Sequence, residues 1–161
     1  LDPEAVAAVI EGCRARTARP LLAKLAPNDP ALENTVRVAG DAGADGLTLV
    51  NTLPGLLLDA EGHPGLGAGP GGVSGPALRP VGLLAVRRAR QATRLPLVGA
   101  GGVGSGADAL AYARAGASLV QVGTASFAEP RTAERIVREL ARWGRKHRVA
   151  SRQSWCPPHN H

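Results

Sequence analysis

Four short apolar runs, each followed by a segment of helical character, constrain the fold of this 161-residue chain more than any other feature. The strand-length runs are Pro20–Ala26, Gly46–Asn51, Leu95–Gly99 and Ser118–Val122. Strands that alternate with helices pair in parallel and connect through right-handed crossovers. The chain is therefore predicted to have an α/β fold, either a barrel or an open doubly wound sheet.

Capping residues and helical periodicity predict a helix in each gap. We place a leading helix from Asp2 to about Arg16 and four more helices at about 30–42, 76–93, 105–115 and 130–146. A long loop, 52–75, precedes the third of these five helices. The final helix presents a broad apolar stripe formed by Ile136, Val137, Leu140, Ala141 and Trp143. The first strand is expected to be buried on both faces apart from Lys24.

Four βα units are half of an eight-stranded barrel, a fold that typically needs about 250 residues. A half barrel leaves two open edge strands and an uncovered inner face. The chain begins with Leu1 and contains no Met. The simplest explanation is that this sequence belongs to a longer protein.

The net charge of +6 comes largely from basic residues between Arg131 and Arg152. No aromatic platform or nucleic-acid-reading motif accompanies them, so a solvated helix face is favoured over nucleic-acid binding. No apolar run reaches the roughly 18 residues of a membrane span, and a cytoplasmic protein is expected. Cys13 lies away from the strand ends with no His beside it, which indicates a structural thiol rather than a nucleophile.

The sequence after Arg148 loses its periodicity, so we divide the chain into a partial barrel, 1–148, and a disordered tail, 149–161. Cys156, His159 and His161 are possible metal ligands in this tail. Because a fourth ligand is lacking, we predict no metal site.

Polar residues at the ends of the first two strands are candidates for ligand binding. Lys24 is one of two lysines among 19 basic residues and interrupts an apolar strand. Its ammonium could contact a flavin ring, or it could simply reach solvent at a strand end. Asn51 and Thr52 close the second strand, where parallel α/β folds bind ligands, although both could merely cap the following loop.

Glycines mark three further places where backbone N–H groups can approach a ligand. Gly75 ends the long loop, Gly101 and Gly102 follow the third strand, and Gly123 with Thr124 follows the fourth. Many eight-stranded barrels bind phosphate at their last two βα turns. The two consecutive glycine turns therefore predict a phosphate site.

Five segments together resemble one family, dihydroorotate dehydrogenase. They are 24–28 (Lys-Leu-Ala-Pro-Asn), 42–52 (Ala-Gly-Ala-Asp-Gly leading to Val-Asn-Thr), 71–80 (Gly-Gly-Val-Ser-Gly-Pro-Ala, then Arg-Pro), 99–103 (Gly-Ala-Gly-Gly-Val) and 121–124 (Gln-Val-Gly-Thr). The resemblance extends from Leu1 to about Arg148. The form of the loop that starts at Asn51, with Asp59, is similar to class 1 catalytic subunits, especially the NAD-linked type.

The resemblance implies the C-terminal half of a (β/α)8 TIM barrel that oxidises dihydroorotate to orotate with FMN in pyrimidine (UMP) biosynthesis. It implies that Asn51 and Thr52 hold the substrate. FMN contacts are implied for Lys24, Val50, Gly75, Gly101, Gly102, Gly123 and Thr124. The complete enzyme would form a homodimer, and in the NAD-linked type electrons would leave through a subunit that carries FAD and an iron–sulfur cluster.

The resemblance also implies a part that this sequence does not contain. In class 1 enzymes the catalytic base is a Cys in a loop upstream of the region matched here, and Cys13 does not occupy that position. We therefore expect the isolated chain to be inactive. Two alternatives remain: a non-catalytic half barrel that binds FMN or another phosphate and acts through oligomerisation, and a different FMN barrel reductase of dihydropyrimidine type.

Overall fold

The computed structural model describes residues 2–149, which form a parallel four-stranded sheet, a two-stranded hairpin and six α-helices. The helices are α1 (Pro3–Arg14), α2 (Leu32–Asp41), α3 (Arg79–Ala92), α4 (Gly106–Ala115), α5 (Ala125–Ala128) and α6 (Thr132–Lys146). The strands are β1 (Leu22–Leu25), β2 (Gly46–Leu49), β3 (Leu53–Gly55), β4 (Gly71–Val73), β5 (Leu97–Ala100) and β6 (Leu119–Gln121). The predicted leading helix and four βα units are all present.

The strand order of the parallel sheet is β1-β2-β5-β6, which follows the order along the chain. The main helices contact one another in the same succession, α1 with α2, α2 with α3, α3 with α4 and α4 with α6. A doubly wound sheet instead reverses its strand order at a switch point. The fold is therefore an α/β fold in which one layer of helices accompanies the sheet.

The helix-covered face of the sheet forms the core. Its most deeply buried side chains are Leu25, Leu47, Leu49 and Leu97. They belong to one apolar cluster with Val36 of α2, Val86 of α3 and Tyr112 of α4. Fully burying a Leu or Val side chain contributes about 1.5–3 kcal/mol, so this cluster supplies much of the driving force for folding.

The opposite face of the sheet is open within the described residues. Leu22 on β1 and Leu119 on β6 are 47% and 63% exposed, and Lys24 is exposed as well. The prediction that the first strand is buried on both faces was therefore wrong. Its alternate residues project from a face that no described helix covers.

The long loop between β2 and α3 has more structure than its sequence predicts. Leu53 pairs with Val73 and Gly55 with Gly71, so β3 and β4 form an antiparallel hairpin. A 3₁₀ turn, Pro76–Leu78, then leads directly into α3. This segment is a hairpin arm rather than an irregular loop.

The buried apolar stripe on the last helix, α6, is also narrower than predicted. Ile136 is buried and Leu140 is partly buried, but Val137 is 65% exposed and Ala141 is exposed. Trp143 is partly buried, so the buried part of the predicted stripe consists of Ile136, Leu140 and Trp143 and is narrower than predicted. No helix within residues 2–149 combines the length and apolar character needed to cross a lipid bilayer.

Candidate functional site

A cavity of about 410 Å³ lies at the carboxyl ends of the parallel strands. All nine residues predicted to bind ligands line it: Lys24, Val50, Asn51, Thr52, Gly75, Gly101, Gly102, Gly123 and Thr124. Sequence reasoning missed a second set of lining residues: Ser74, Pro76, Leu78, Ala100, Val103, Gly104, Gln121, Ala125 and Ala128. The volume falls within the range of small-molecule sites, about 300–1,000 Å³.

Backbone hydrogen bonds fix the segment that follows β2. The Val50 N–H donates to the Ala100 carbonyl at 3.1 Å, and the Asn51 N–H donates to the Leu25 carbonyl at 2.9 Å. The peptide bond between Leu49 and Val50 is cis. Val50 and Asn51 are thereby held between the ends of β5 and β1, at the floor of the cavity.

Three polar side chains reach the cavity from this side. Lys24, Asn51 and Thr52 are all exposed, and within residues 2–149 none of their side chains forms a hydrogen bond or an ion pair. The Lys24 side chain therefore reaches solvent at the end of its strand. Its charge faces open space, where an anionic or electron-rich ligand can approach it.

The single Tyr of the chain, Tyr112 on α4, anchors the turn after β5. The buried Tyr112 hydroxyl lies 2.7 Å from the Gly101 carbonyl and 3.0 Å from the Ala100 carbonyl. Because the Ala100 carbonyl already accepts the Val50 N–H, the Tyr112 hydroxyl is best placed to donate to the Gly101 carbonyl. Burial raises the pKa of Tyr112 to about 12, so the hydroxyl remains a donor at neutral pH.

A carboxylate anchors the same turn further along the chain. Asp108 accepts hydrogen bonds from the Ser105 hydroxyl at 2.8 Å and the Gly104 N–H at 3.1 Å, and it pairs with Arg79. Burial raises the pKa of Asp108, but those two hydrogen bonds and the Arg79 charge outweigh it and hold the pKa below its ordinary value. Ser105 is the N-cap of α4, since its hydroxyl also accepts the Asp108 N–H.

The turn after β6 has no comparable packing around its glycine. A Cβ built on Gly123 would meet no atom within 4 Å, and Gly123 does not have a positive φ. Neither the backbone conformation nor the protein's own packing requires glycine there. The space beside its Cα belongs to the cavity.

The electrostatic character of the cavity favours an anion. The N–H groups of Gly101, Gly102, Gly123 and Thr124 donate to none of the backbone hydrogen bonds that the described residues form outside helices and strands. Lys24 supplies a positive charge, and none of the described lining residues is acidic. Free amides from two adjacent turns and one ammonium can hold a phosphate group.

The remaining candidates from the sequence lie elsewhere. Cys13 is exposed on α1 and does not line the cavity. Within residues 2–149, no three metal-ligating side chains come together. Cys156, His159 and His161 lie outside the described residues, as does the predicted tail beyond Val149.

Known proteins resemble this chain over nearly its whole length. The family model for dihydroorotate dehydrogenase matches residues 1–143. The dihydroorotate dehydrogenase B (NAD(+)) catalytic subunits of Pelobacter propionicus and Citrifermentans bemidjiense are each 43% identical, over 92% and 93% of this chain and 49% and 50% of their own lengths. A protein of Solibacter usitatus, named provisionally as a dihydroorotate dehydrogenase A (fumarate), is 46% identical over 88% of this chain and 47% of its own length. The chain thus spans about half the length of the curated relatives it matches.

Proposed function

The chain belongs to the dihydroorotate dehydrogenase family, and on that premise we propose that it forms the C-terminal half of a (β/α)8 barrel that oxidises dihydroorotate to orotate with FMN. Three features support the half barrel. The strand order does not reverse, the second face of the sheet is open, and the matched relatives are about twice as long. The complete protein would act in pyrimidine (UMP) biosynthesis in the cytoplasm.

The observation that carries the FMN proposal is the empty space at Gly123. A glycine that neither its φ nor its neighbours require, placed on a cavity rim beside free amides, fits the close approach of a bulky anion. Gly75, which also lines the cavity, likewise has no atom within 4 Å of a built Cβ. Both glycines therefore leave room for a phosphorylated flavin to approach their Cα atoms closely.

The residues of the cavity divide naturally between the parts of such a ligand. The amides of Gly101, Gly102, Gly123 and Thr124 would hold the phosphate. Lys24, Val50 and Gly75 would contact the ring system, where the Lys24 ammonium stabilises negative charge. When bound, FMN supplies the hydride-accepting chemistry of the reaction.

Two side chains at the end of β2 would orient the substrate. The Asn51 amide has both a donor and an acceptor, which match the carboxylate and imide edges of dihydroorotate. Thr52 adds a hydroxyl next to it. Because both side chains border the same cavity as Lys24, substrate and flavin would lie against each other.

The rest of the reaction would come from other parts of the complete protein. The described residues that line the cavity include no Cys, so the base that takes the substrate proton would come from the other half barrel. We favour the NAD-linked type, in which a partner subunit with FAD and an iron–sulfur cluster removes the electrons. Two of the relatives described above are named as NAD(+)-type catalytic subunits. The complete protein is also proposed to form a homodimer.

Flavin reduction tests this proposal directly. In the protein that carries this chain, Lys24→Ala is expected to slow reduction of bound FMN by dihydroorotate about a hundredfold, because a charge-stabilising donor is lost. Lys146→Ala on α6 is the matched control, since the other lysine of the chain lies outside the cavity. Stopped-flow absorbance measures both rates. Equal rates in the two variants would remove Lys24 from the flavin site, and failure of the unaltered protein to bind FMN would refute the proposal as a whole.

A further inference from the structure

One guanidinium connects the two turns that border the phosphate end of the cavity. Arg135 lies on α6, behind both turns and outside the cavity lining. Its Nη2 donates to the Gly104 carbonyl at 3.0 Å, which belongs to the turn after β5. Its Nε donates to Glu129 Oε2 at 2.9 Å, at the end of the segment that follows β6.

The second of these contacts is linked to Gly123 through hydrogen bonds of α5. The Ser126 N–H donates to the Gly123 carbonyl at 2.9 Å, and the Glu129 N–H donates to the Ala125 carbonyl at 3.0 Å. The Thr132 hydroxyl bonds the Glu129 carbonyl at 2.6 Å. A displacement of Glu129 is therefore transmitted through α5 to the Gly123 turn.

The first contact is reinforced in the same way. Arg135 Nη1 donates to Glu139 Oε1 at 2.8 Å, and Glu139 Oε2 accepts the Gly106 N–H at 2.6 Å. Gly106 is the first residue of α4, directly after the turn. Arg135 thus holds the β5 turn directly at Gly104 and, through Glu139, at Gly106 where α4 begins.

We propose that Arg135 is a positioning residue that sets the distance between the two turns, and that it thereby makes the cavity select a phosphorylated flavin over an unphosphorylated one. The inference rests on the proposed FMN site. A planar guanidinium with several donors is suited to this task, because it can bond three acceptors in fixed directions at once. A ligand without a phosphate has little to gain from that spacing.

The test compares FMN with riboflavin, which has the same ring system and no phosphate. In the full chain, Arg135→Gln is expected to raise the Kd for FMN about tenfold and to leave the Kd for riboflavin unchanged, both measured by quenching of flavin fluorescence. Arg138→Gln is the matched control on the same helix. Arg138 is 62% exposed and pairs with Glu134, one turn back on α6. This variant should change neither Kd.

The possible outcomes separate the inference from the proposal beneath it. Equal increases in both Kd values, or no increase in either, would overturn the role of Arg135. If the unaltered chain binds both flavins equally, the phosphate site itself is wrong and the inference is rejected with it. If Arg135→Gln does not fold, Arg135→Lys decides, because it keeps the charge but loses the fork of donors. Its FMN-to-riboflavin ratio is expected to fall severalfold, and an unchanged ratio would also overturn the role.

Discussion

The two glycine turns at the rim of the cavity resemble each other in sequence and differ in what requires their glycines. In the turn after β5, Gly101 and Gly102 have φ angles of +113° and +67°, and a Cβ on Gly102 would lie 2.8 Å from the Gly75 carbonyl oxygen and 2.8 Å from Arg79 Cβ. In the turn after β6, Gly123 has neither constraint. The first turn is glycine because of the fold. In the second, nothing in the described residues requires glycine, so only a ligand in the cavity would restrict a side chain there.

The largest expected effect comes from Gly102→Ala, which adds a Cβ where backbone and side chain already meet. Strain at positive φ and the clash together are expected to lower the free energy of unfolding by about 2–4 kcal/mol and to abolish flavin binding. Urea unfolding measures the change. Gly104→Ala in the same turn is the control, because the nearest neighbour of a Cβ there would be Asp108 Oδ2, at an ordinary 3.8 Å. Equal destabilisation by both changes would contradict this account.

Gly123→Val is expected to weaken FMN binding without destabilising the fold. The added side chain enters the cavity and not the protein interior, so the free energy of unfolding should change by less than about 0.5 kcal/mol. The Kd for FMN should rise about a hundredfold through steric exclusion. Gly123→Ala, with a smaller side chain, should give an intermediate Kd. Full FMN occupancy in the valine variant would show that the β6 turn does not border the ligand.

The smallest effect concerns the carboxylate that holds the β5 turn. The pKa of Asp108 is lower in the folded chain than its ordinary 3.8, so its stabilising contribution is present above pH 3.8 and is lost as the pH falls through the folded value. Asp108→Asn should therefore flatten the loss of stability on acidification below about pH 4. Urea midpoints at several pH values measure it.

The control for that change is a carboxylate far from the cavity. Hydrogen bonds from Arg88 lower the pKa of Glu33 from 4.5 to about 2, and this pair joins α2 to α3. Glu33→Gln should also flatten the acid response while leaving the FMN-to-riboflavin ratio intact, whereas Asp108→Asn should reduce that ratio. If both variants leave the ratio unchanged, Asp108 does not order the β5 turn.

The sequence was sufficient to predict five of the six described helices, the four parallel strands and the gathering of ligand-binding candidates, but not the short helix α5. Lys24, Asn51, Gly101 and Gly123 all lie at or near strand ends, and parallel strands bring these ends to one edge. The hairpin was missed because its strands contain Pro54 and Gly71, which suppress strand signals; their pairing depends on contacts across the loop.

The supporting residues were also beyond sequence reasoning. Tyr112 resembles any core aromatic on a helix, and Arg135 is one of 17 arginines. Both act from helices that lie behind the turns, so only tertiary packing reveals them. The predicted burial of Leu22 was wrong for a related reason. An apolar run does not indicate whether a second layer covers the other face of the strand.

The open face of the sheet bears on how the protein can be produced in a cell. Leu22 and Leu119 are exposed on the two outermost strands of the described sheet, and each of these strands has one side without a neighbour. A nascent chain in this state is a target for chaperones and for addition of foreign strands. Its soluble yield should therefore depend on whether a covering segment is present when the chain folds, and co-expression of such a segment should raise the yield more than lowering the temperature.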